Sequence, residues 1–239
     1  HDLLPEGELI DSVWVAQAGE YAQYLGRVDL VFDGEPKVAH VTVLPITTDI
    51  PPATEILAEG ERIEAEGQAY LDEVIGYLAE PLDFATDREC RVANLAADAL
   101  RDRMKTEMAV VAAGQSITGP LDAGPLRRGA LWDVCSSTAN PARVRLTGEQ
   151  LRWLVARGLD PVYAAEQPRP LRGAPRGLFH LSGAQMRDGV LLINGEAVDP
   201  QRVYSVAGTD WEFEPYGGYA PKEWALQPEY DMPFIVREV

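Results

Sequence analysis

The 239-residue sequence is poor in the residues that build disulfide frameworks and metal sites, with two cysteines and three histidines. Cys90 and Cys135 lack the C-x-x-C spacing of a zinc or redox site, and two cysteines are too few for a disulfide framework. Two buried thiols are the simpler expectation. A single disulfide in an oxidising compartment is the alternative.

Positive charge is also scarce. The chain has 21 Lys and Arg against 38 Asp and Glu, which gives a formal net charge of -17. Because so acidic a surface repels nucleic acid and anionic membranes, we expect neither as a partner. Any anionic ligand would need a local pocket of positive charge.

Long apolar runs are missing as well. No stretch approaches the roughly 20 consecutive apolar residues of a membrane-spanning helix, and the N-terminus shows no basic-then-apolar targeting signal. Hydrophobic residues nevertheless make up 46% of the chain, which is enough for a sizeable core. The sequence therefore predicts a globular protein without a membrane span.

Near its N-terminus, the sequence predicts a β-hairpin. Apolar and polar residues alternate over Val28–Phe32 and again over Val38–Leu44, and Asp33–Gly34 between them supplies a turn. A hairpin alone is at best marginally stable in water, so we expect this one to pack on another domain.

A helix is predicted next, over residues 52–79, because Pro51 and Pro52 mark a start and apolar residues then recur at helical spacing. Its other face is strongly acidic and is expected to face solvent.

From about residue 85, helices and strands alternate, which predicts an α+β domain with a mixed sheet. The loop over residues 167–177 is rich in Pro, Arg and Gly and is expected to be exposed. The predicted elements are helices over Arg91–Lys105 and Thr147–Gly158, strands over Ala109–Ala113, Val190–Ile193 and Val203–Val206, and a turn at Asn194–Gly195.

Five short motifs occur in an order that is similar to that of the C-terminal domain of 5'-nucleotidases. Asn94–Arg101 resembles the family's N-L-x-x-D-A-L-R helix, and Leu146–Leu151 resembles its L-T-G-x-x-L helix start. The remaining motifs lie at Phe179–Gly183, Asn194–Glu196 and Val203–Ala207, ahead of Gly217-Gly218-Tyr219. The chain is identified on these motifs as a relative of that family.

The N-terminal segment agrees with this resemblance. Val15–Arg27 is similar to the V-x-Q-A-G stretch that closes the family's metallophosphatase domain, a short distance after a G-H-x-H metal motif. His1 would fall on the last histidine of that motif, as a metal ligand in an intact parent protein only. The resemblance implies three parts: residues 1–47 as the last strands of an otherwise missing metallophosphatase domain, 48–80 as a linker helix, and 81–239 as a substrate-binding domain.

In this family, as the resemblance implies, divalent metals such as Zn, Mn or Mg clamp a phosphate ester and activate a water. The sequence contains no D-x-H and no G-N-H-[DE] motif. His40 and His180 lie among apolar residues, which favours packing or surface roles. We therefore expect no catalytic residue and no cofactor in this chain, and no activity from it alone.

The family's C-terminal domain is expected to grip a nucleotide or nucleoside with an arginine, two stacked aromatics and an aspartate. Here Thr118 stands at the arginine position, Ser137 at the first aromatic position and Tyr219 at the aspartate position. Arg127 or Arg128 is a candidate to replace the lost charge. The predicted binding residues are Thr118, Arg127, Asn140, Trp211, Phe213, Tyr216, Gly217 and Gly218.

Two functions stay open at this point. The chain is the substrate-binding part of a 5'-nucleotidase-like phosphoester hydrolase, or it is a structural or interaction module that has lost nucleotide binding. For Trp211 and Phe213 the alternative to stacking on a ligand is packing in the core. The resemblance implies an extracellular or periplasmic location, with a cytoplasmic one as the alternative.

Overall fold

The structure is a computed structural model that describes residues 2–135, 137–168 and 174–239. The chain divides into two compact units, residues 1–65 and residues 66–239. Within the described residues, no helix is long and apolar enough to span a membrane.

The first unit contains two antiparallel strand pairs. Strands β1 (Leu3–Ile10) and β2 (Val13–Ala18) form one pair, and β3 (Tyr24–Asp33) and β4 (Glu35–Pro45) form the other. The second pair confirms the predicted hairpin, and Gly34 at its turn has a φ of +84°, which glycine adopts without strain. Strand β1 was not predicted.

Helix α1 (Thr54–Leu71) is shorter than predicted. The expectation of a helix to residue 79 is wrong, because Val74–Leu78 forms strand β5 and pairs with a later strand. Val74, Ile75 and Tyr77 favour extended backbone, and Gly76 disfavours a helix. No residue of α1 is buried, which confirms that its acidic face is exposed to solvent.

The second unit is built on a five-stranded mixed sheet. Its strands have the order β14-β8-β13-β6-β9, with β6 and β13 parallel and the other neighbours antiparallel. This confirms the predicted α+β class. The further elements are α2 (Arg91–Met104), β6 (Met108–Ala112), α3 (Ala113–Ser116), β7 (Gly124–Arg127), α4 (Arg128–Val134), β8 (Pro141–Thr147), α5 (Gly148–Gly158), α6 (Pro161–Ala164), β9 (Phe179–Ser182), β10 (Ala184–Arg187), β11 (Val190–Ile193), β12 (Glu196–Ala197), β13 (Val203–Thr209), α7 (Asp210–Phe213) and β14 (Glu229–Tyr230).

Helices cover both faces of this sheet. Ala109 and Val111 of β6 pack with Leu100 of α2 in one cluster, whereas Val110 packs with Leu151 of α5 in another. Successive side chains of a strand point to opposite faces, so β6 is buried on both sides. This explains why its sequence is a continuous apolar run instead of an alternating one.

The two helices that were predicted in the second unit have nearly the predicted boundaries. Helix α2 ends at Met104, and Lys105 after it adopts a left-handed conformation. Helix α5 begins after Thr147, whose hydroxyl accepts a hydrogen bond from the backbone N–H of Gln150 in a capping box. The strand predicted to end at Val206 continues to Thr209.

Both cysteines are free and buried, which confirms the expectation of two thiols. Cys90 and Cys135 belong to one apolar cluster with Ala113 and Ile117. Burial raises the pKa of the Cys135 thiol to about 11, so this thiol stays protonated and unreactive near neutral pH.

The predicted exposed loop over residues 167–177 falls partly outside the described residues. For the last part of the loop, residues 174–177, the prediction of an exposed loop is wrong. Gly177 is buried, and the carbonyl of Arg176 accepts a hydrogen bond of 3.0 Å from the N–H of Gly114. Backbone hydrogen bonding to α3 holds this segment against the domain.

Candidate functional site

The candidate site lies at the carboxyl-terminal edge of strands β6 and β13. Because these strands are parallel, the elements that follow them, α3 and α7, begin at the same edge. Strand β8 is antiparallel to β13, so its first residue, Pro141, also lies there, opposite Thr209. Ligands of open α/β sheets commonly bind outside this kind of edge.

A buried glutamate joins the two parallel strands at this edge. Oε1 of Glu212 accepts a hydrogen bond of 3.0 Å from the N–H of Ala112, and Oε2 accepts bonds from the N–H and hydroxyl of Thr209 at 2.8 and 2.5 Å. Burial raises the pKa of Glu212 to about 7, against the effect of these hydrogen bonds. Glu212 was not predicted as a functional residue, although the capping-box spacing Thr209-x-x-Glu212 is visible in the sequence.

Asp210 connects two of the predicted binding residues and was itself missed. Its Oδ1 accepts a hydrogen bond of 3.1 Å from the N–H of Asn140, and its Oδ2 accepts one of 2.6 Å from the hydroxyl of Tyr216. Asn140 also donates from Nδ2 to the carbonyl of Phe234 at 2.9 Å. Asn140, Asp210 and Tyr216 therefore form one polar group at the edge.

The three aromatic candidates differ in accessibility. Trp211 and Phe213 are buried, with 8% and 1% of their surfaces exposed, whereas Tyr216 is 60% exposed. The rings of Trp211 and Tyr216 meet edge to face, with centroids 5.9 Å apart. Trp211 and Phe213 thus pack in the core, and Tyr216 is the member of this trio with a face open to a ligand.

Gly217 and Gly218 are required by packing. A Cβ at Gly217 would lie 1.7 Å from the carbonyl oxygen of Trp211, and Gly218 has a φ of +83°. The carbonyl of Gly217 accepts a bond of 2.6 Å from Nη1 of Arg176, and that of Gly218 accepts one of 2.7 Å from the hydroxyl of Tyr163. Both glycines lie beside Trp211 and Tyr216, and their backbone is held by the interior of the domain.

Thr118 lies at the C-terminal end of α4, and Arg127 lies at its N-terminal end. The Thr118 hydroxyl donates to the carbonyls of Asp133 and Val134 at 2.9 and 3.0 Å, so it caps the end of the helix. Arg127 precedes α4 and donates from Nη1 to the carbonyl of Asp72 at 2.7 Å. Neither residue contacts Asn140 or Tyr216 through these bonds.

Arg128, the second candidate to replace the lost arginine, pairs elsewhere. Its Nη2 lies 2.5 Å from Oε2 of Glu73, and its guanidinium carbon lies 4.3 Å from the ring centre of Tyr70. Arg128 is therefore held between the end of α1 and strand β5.

The other two substituted positions, Ser137 and Tyr219, also take part in internal contacts. The Ser137 hydroxyl oxygen accepts hydrogen bonds of 3.2 Å from Nε2 of Gln115 and from the N–H of Ala139. Tyr219 is 1% exposed, and its ring lies 4.6 Å from that of Phe179 and 5.3 Å from that of Tyr163. Tyr219 is a core residue, and its burial raises the pKa of its hydroxyl.

The histidines make no metal site in the described part of the chain. His1 lies outside the described residues, and His40 is an exposed residue of β4. His180 is buried, and its Nε2 accepts a hydrogen bond of 2.9 Å from the N–H of Cys90. Its Nδ1 therefore carries the proton and donates to the carbonyl of Leu178 at 3.1 Å. Over residues 2–135, 137–168 and 174–239, no three His, Cys, Asp or Glu side chains are grouped to hold a metal ion.

Comparison with known proteins finds relatives of this chain. The chain is 29% identical to the uncharacterized metallophosphoesterase YunD of Bacillus subtilis, over 100% of this chain and 54% of that protein. The chain therefore spans about half the length of this curated relative.

Two solved structures share the fold. The putative 5'-nucleotidase of Staphylococcus aureus superposes with a TM-score of 0.70 at 15% identity, over 97% of this chain and 49% of that one. The 5'-nucleotidase precursor of Thermus thermophilus superposes with a TM-score of 0.56 at 21% identity, over 95% of this chain and 47% of that one. The sequence profile of the family described as "5'-nucleotidase, C-terminal domain" matches residues 74–223. This chain accordingly belongs to the 5'-nucleotidase C-terminal domain family.

Proposed function

We propose that residues 81–239 form the substrate-binding part of a 5'-nucleotidase-like, metal-dependent phosphoester hydrolase, with a nucleoside or nucleotide as ligand. The supporting observation is the group at the carboxyl-terminal edge of the sheet. There the exposed ring of Tyr216 lies beside the polar groups of Asn140 and Asp210. A ring fixed in this way can stack on a flat base, and the carboxylate and amide can hydrogen-bond to a sugar or base edge.

The hydrogen bond from Tyr216 to Asp210 supports this role, because it fixes the ring before a ligand arrives. Partial burial and, after it, this bond raise the pKa of the Tyr216 hydroxyl, so the ring stays neutral at physiological pH. A preformed, neutral stacking surface reduces the entropy lost on binding.

Thermal-shift measurements with a panel of nucleosides and nucleotides test the proposal. A ligand at one hundred times its Kd adds about 2.7 kcal/mol to the free energy of unfolding. Tyr216→Ala should weaken binding roughly tenfold, since a base-stacking contact contributes about 1 to 3 kcal/mol. Tyr77→Ala, which removes another exposed tyrosine from β5, is the matched control. An unchanged melting temperature with every ligand would contradict the proposal.

The second candidate is a structural or interaction module that binds no nucleotide. It is favoured by the contacts of Thr118 and Tyr219, which stand at ligand-recognition positions of the family pattern but cap a helix and fill the core. The same thermal-shift panel separates the two functions, because the module predicts no ligand response from wild type or variant.

We also propose that residues 1–47 are the last strands of a metallophosphatase domain, residues 48–80 the linker to the substrate-binding part, and that the divalent metals are bound by the remainder of that domain. The absence of D-x-H and G-N-H-[DE] motifs from the sequence supports this. The chain alone should then release no phosphate from nucleotides with added Mn²⁺ or Zn²⁺. Phosphate release by protein purified to homogeneity would overturn this part of the proposal.

The proposed location is extracellular or periplasmic, in keeping with the description of the Thermus thermophilus neighbour as a precursor.

A further inference from the structure

A cavity of about 630 Å³ lies at the other edge of the five-stranded sheet, beside the amino-terminal ends of β6 and β13. Lys105 and Thr106 precede β6, and Ser205 lies near the start of β13. The volume falls within the roughly 300 to 1,000 Å³ of small-molecule sites. This cavity is separate from the group around Asn140, Asp210 and Tyr216.

The cavity is open because strand β14 is short. It pairs with Ala142 and Arg143 only, so in the described chain β8 has no outer strand partner from Val144 onward. Arg143 and Arg145 are alternate residues of β8 and therefore share one face, while Val144 between them is buried in the core. Both arginines are exposed and line the cavity.

The charge of the lining is opposite to that of the whole chain. Lys105, Arg143 and Arg145 line the cavity with one carboxylate, Glu229. Lys105 is paired with a carboxylate outside the lining, since its Nζ lies 2.9 Å from Oδ1 of Asp102. Glu229 forms an ion pair with Arg143, whose Nε and Nη2 lie 2.9 and 2.6 Å from the Oε2 of Glu229. Arg145 has neither an ion pair nor a side-chain hydrogen bond among the described residues. A chain with a net charge of -17 thus keeps an uncompensated guanidinium in a concave site.

An aromatic wall and an amide complete the lining. Trp224 packs edge to face on Trp153, with ring centroids 5.2 Å apart. Gln150 uses its Oε1 to accept a bond of 3.0 Å from the N–H of Thr147, which leaves its Nε2 as a donor at the cavity. Cationic donors, an amide donor and an indole ring suit a ligand that is negatively charged and flat.

We propose that this cavity binds a small molecule that carries negative charge next to a flat ring. Arg145 binds the charge, Gln150 donates a further hydrogen bond, and Trp224 contacts the ring. The inference does not depend on the proposed nucleotide function, since it uses none of the residues of the carboxyl-terminal edge.

Calorimetric titration of the whole chain with naphthalene-1,5-disulfonate at low ionic strength tests the site without using a nucleotide. Arg145→Ala should weaken binding roughly tenfold or more, as expected for the loss of a charge-assisted contact. Arg187→Ala removes another exposed arginine from β10, outside the cavity, and should leave the affinity unchanged. Because Arg145 is exposed, its variant should melt at the wild-type temperature.

A second variant tests the contact between Trp224 and the ring of the ligand. Trp224→Leu should weaken binding of naphthalene-1,5-disulfonate but not of pyrophosphate, which has no ring. The absence of binding heat from wild type, equal losses in Arg145→Ala and Arg187→Ala, or loss of binding in Tyr216→Ala instead of Arg145→Ala would each overturn the proposal.

Discussion

The two units of this chain differ most in what they bury. In residues 2–65, Val41 is the one buried residue, and Leu25, Val31 and Phe32 are largely exposed. The second unit has three buried clusters, and its central strand β6 is buried along its whole length. Since apolar burial supplies most of the stability of a fold, the second unit has the core of an independent domain and the first does not.

This contrast teaches where each unit obtains its stability. The strand pairs of the first unit satisfy their backbone hydrogen bonds within the unit, but they leave apolar side chains uncovered. That is the behaviour expected of strands that complete a larger sheet, and it agrees with the proposal that residues 1–47 end a metallophosphatase domain.

The largest expected difference in stability between the units comes from replacing a leucine of a strand by alanine. Leu146 in β8 is fully buried, so Leu146→Ala should lower the free energy of unfolding by about 2 to 5 kcal/mol. Leu25 in β3 is 56% exposed, and Leu25→Ala should cost less than about 1 kcal/mol. Urea denaturation of both variants measures the two effects. Equal losses would mean that the first unit has a core after all.

The next effect is a pH dependence that belongs to the second unit. The pKa of Glu212 rises from 4.5 to about 7 on folding, so between these values the folded protein binds more protons than the unfolded chain. Stability should therefore fall as pH rises from about 4.5 to 7, by roughly 3 kcal/mol for a shift of this size. Denaturation midpoints across this range measure it.

Glu212→Gln isolates this contribution. The variant should be less stable, because its amide N–H₂ faces backbone donors, but its pH profile should lack the Glu212 slope. The burial of His180 lowers its pKa and acts in the opposite direction, since stability from a neutral histidine is lost as pH falls below about 6.5. Subtracting the two profiles removes the His180 contribution, and identical slopes in both proteins would contradict the assignment.

The smallest effects come from two glycine substitutions with opposite expected signs. Gly217→Ala should destabilise the second unit by about 1 to 3 kcal/mol, because its Cβ would meet the carbonyl of Trp211. Gly60 lies in α1 with no atom within 4 Å of a built Cβ, so Gly60→Ala should stabilise that helix by about 1 kcal/mol. Hydrogen exchange resolved by segment measures both changes. If Gly217→Ala were instead more stable than wild type, the backbone near Trp211 would have to move away from the added Cβ without cost.

Local signals in the sequence predicted much of the fold. Asp33–Gly34 marked the hairpin turn, Thr147 and Gln150 marked the start of α5, and Asn194–Gly195 marked the turn between β11 and β12. Each depends on residues within a few positions, where backbone preference and capping decide the structure. The helix predicted to residue 79 was wrong because strand β5 gains hydrogen bonds from β7, about fifty residues later.

The candidate site was less accessible to prediction. Asn140, Trp211, Phe213, Tyr216, Gly217 and Gly218 do come together, but Thr118 and Arg127 lie at the two ends of α4. Asp210 and Glu212 were missed. The capping-box spacing is a local signal for Thr209 and Glu212, but nothing local indicates the distant partners, Asn140 for Asp210 and Ala112 for Glu212. The Arg145 cavity was also missed, because its lining comes from segments far apart in the sequence. The need for a local positive pocket followed from net charge alone.

The sequence by itself identified the family through its ordered motifs. It also determined the α+β class and the boundaries of a few elements, such as α2, α5 and β11, because these depend on short-range periodicity, caps and turns. The tertiary structure decided which of the aromatic side chains is available to a ligand and which acid is buried. Glu212 bonds to Ala112, one hundred positions away, and Tyr219 packs on Phe179 across the domain. Burial and pKa depend on such distant neighbours, so a tyrosine is part of the core at Tyr219 and lies on the exposed surface at Tyr216.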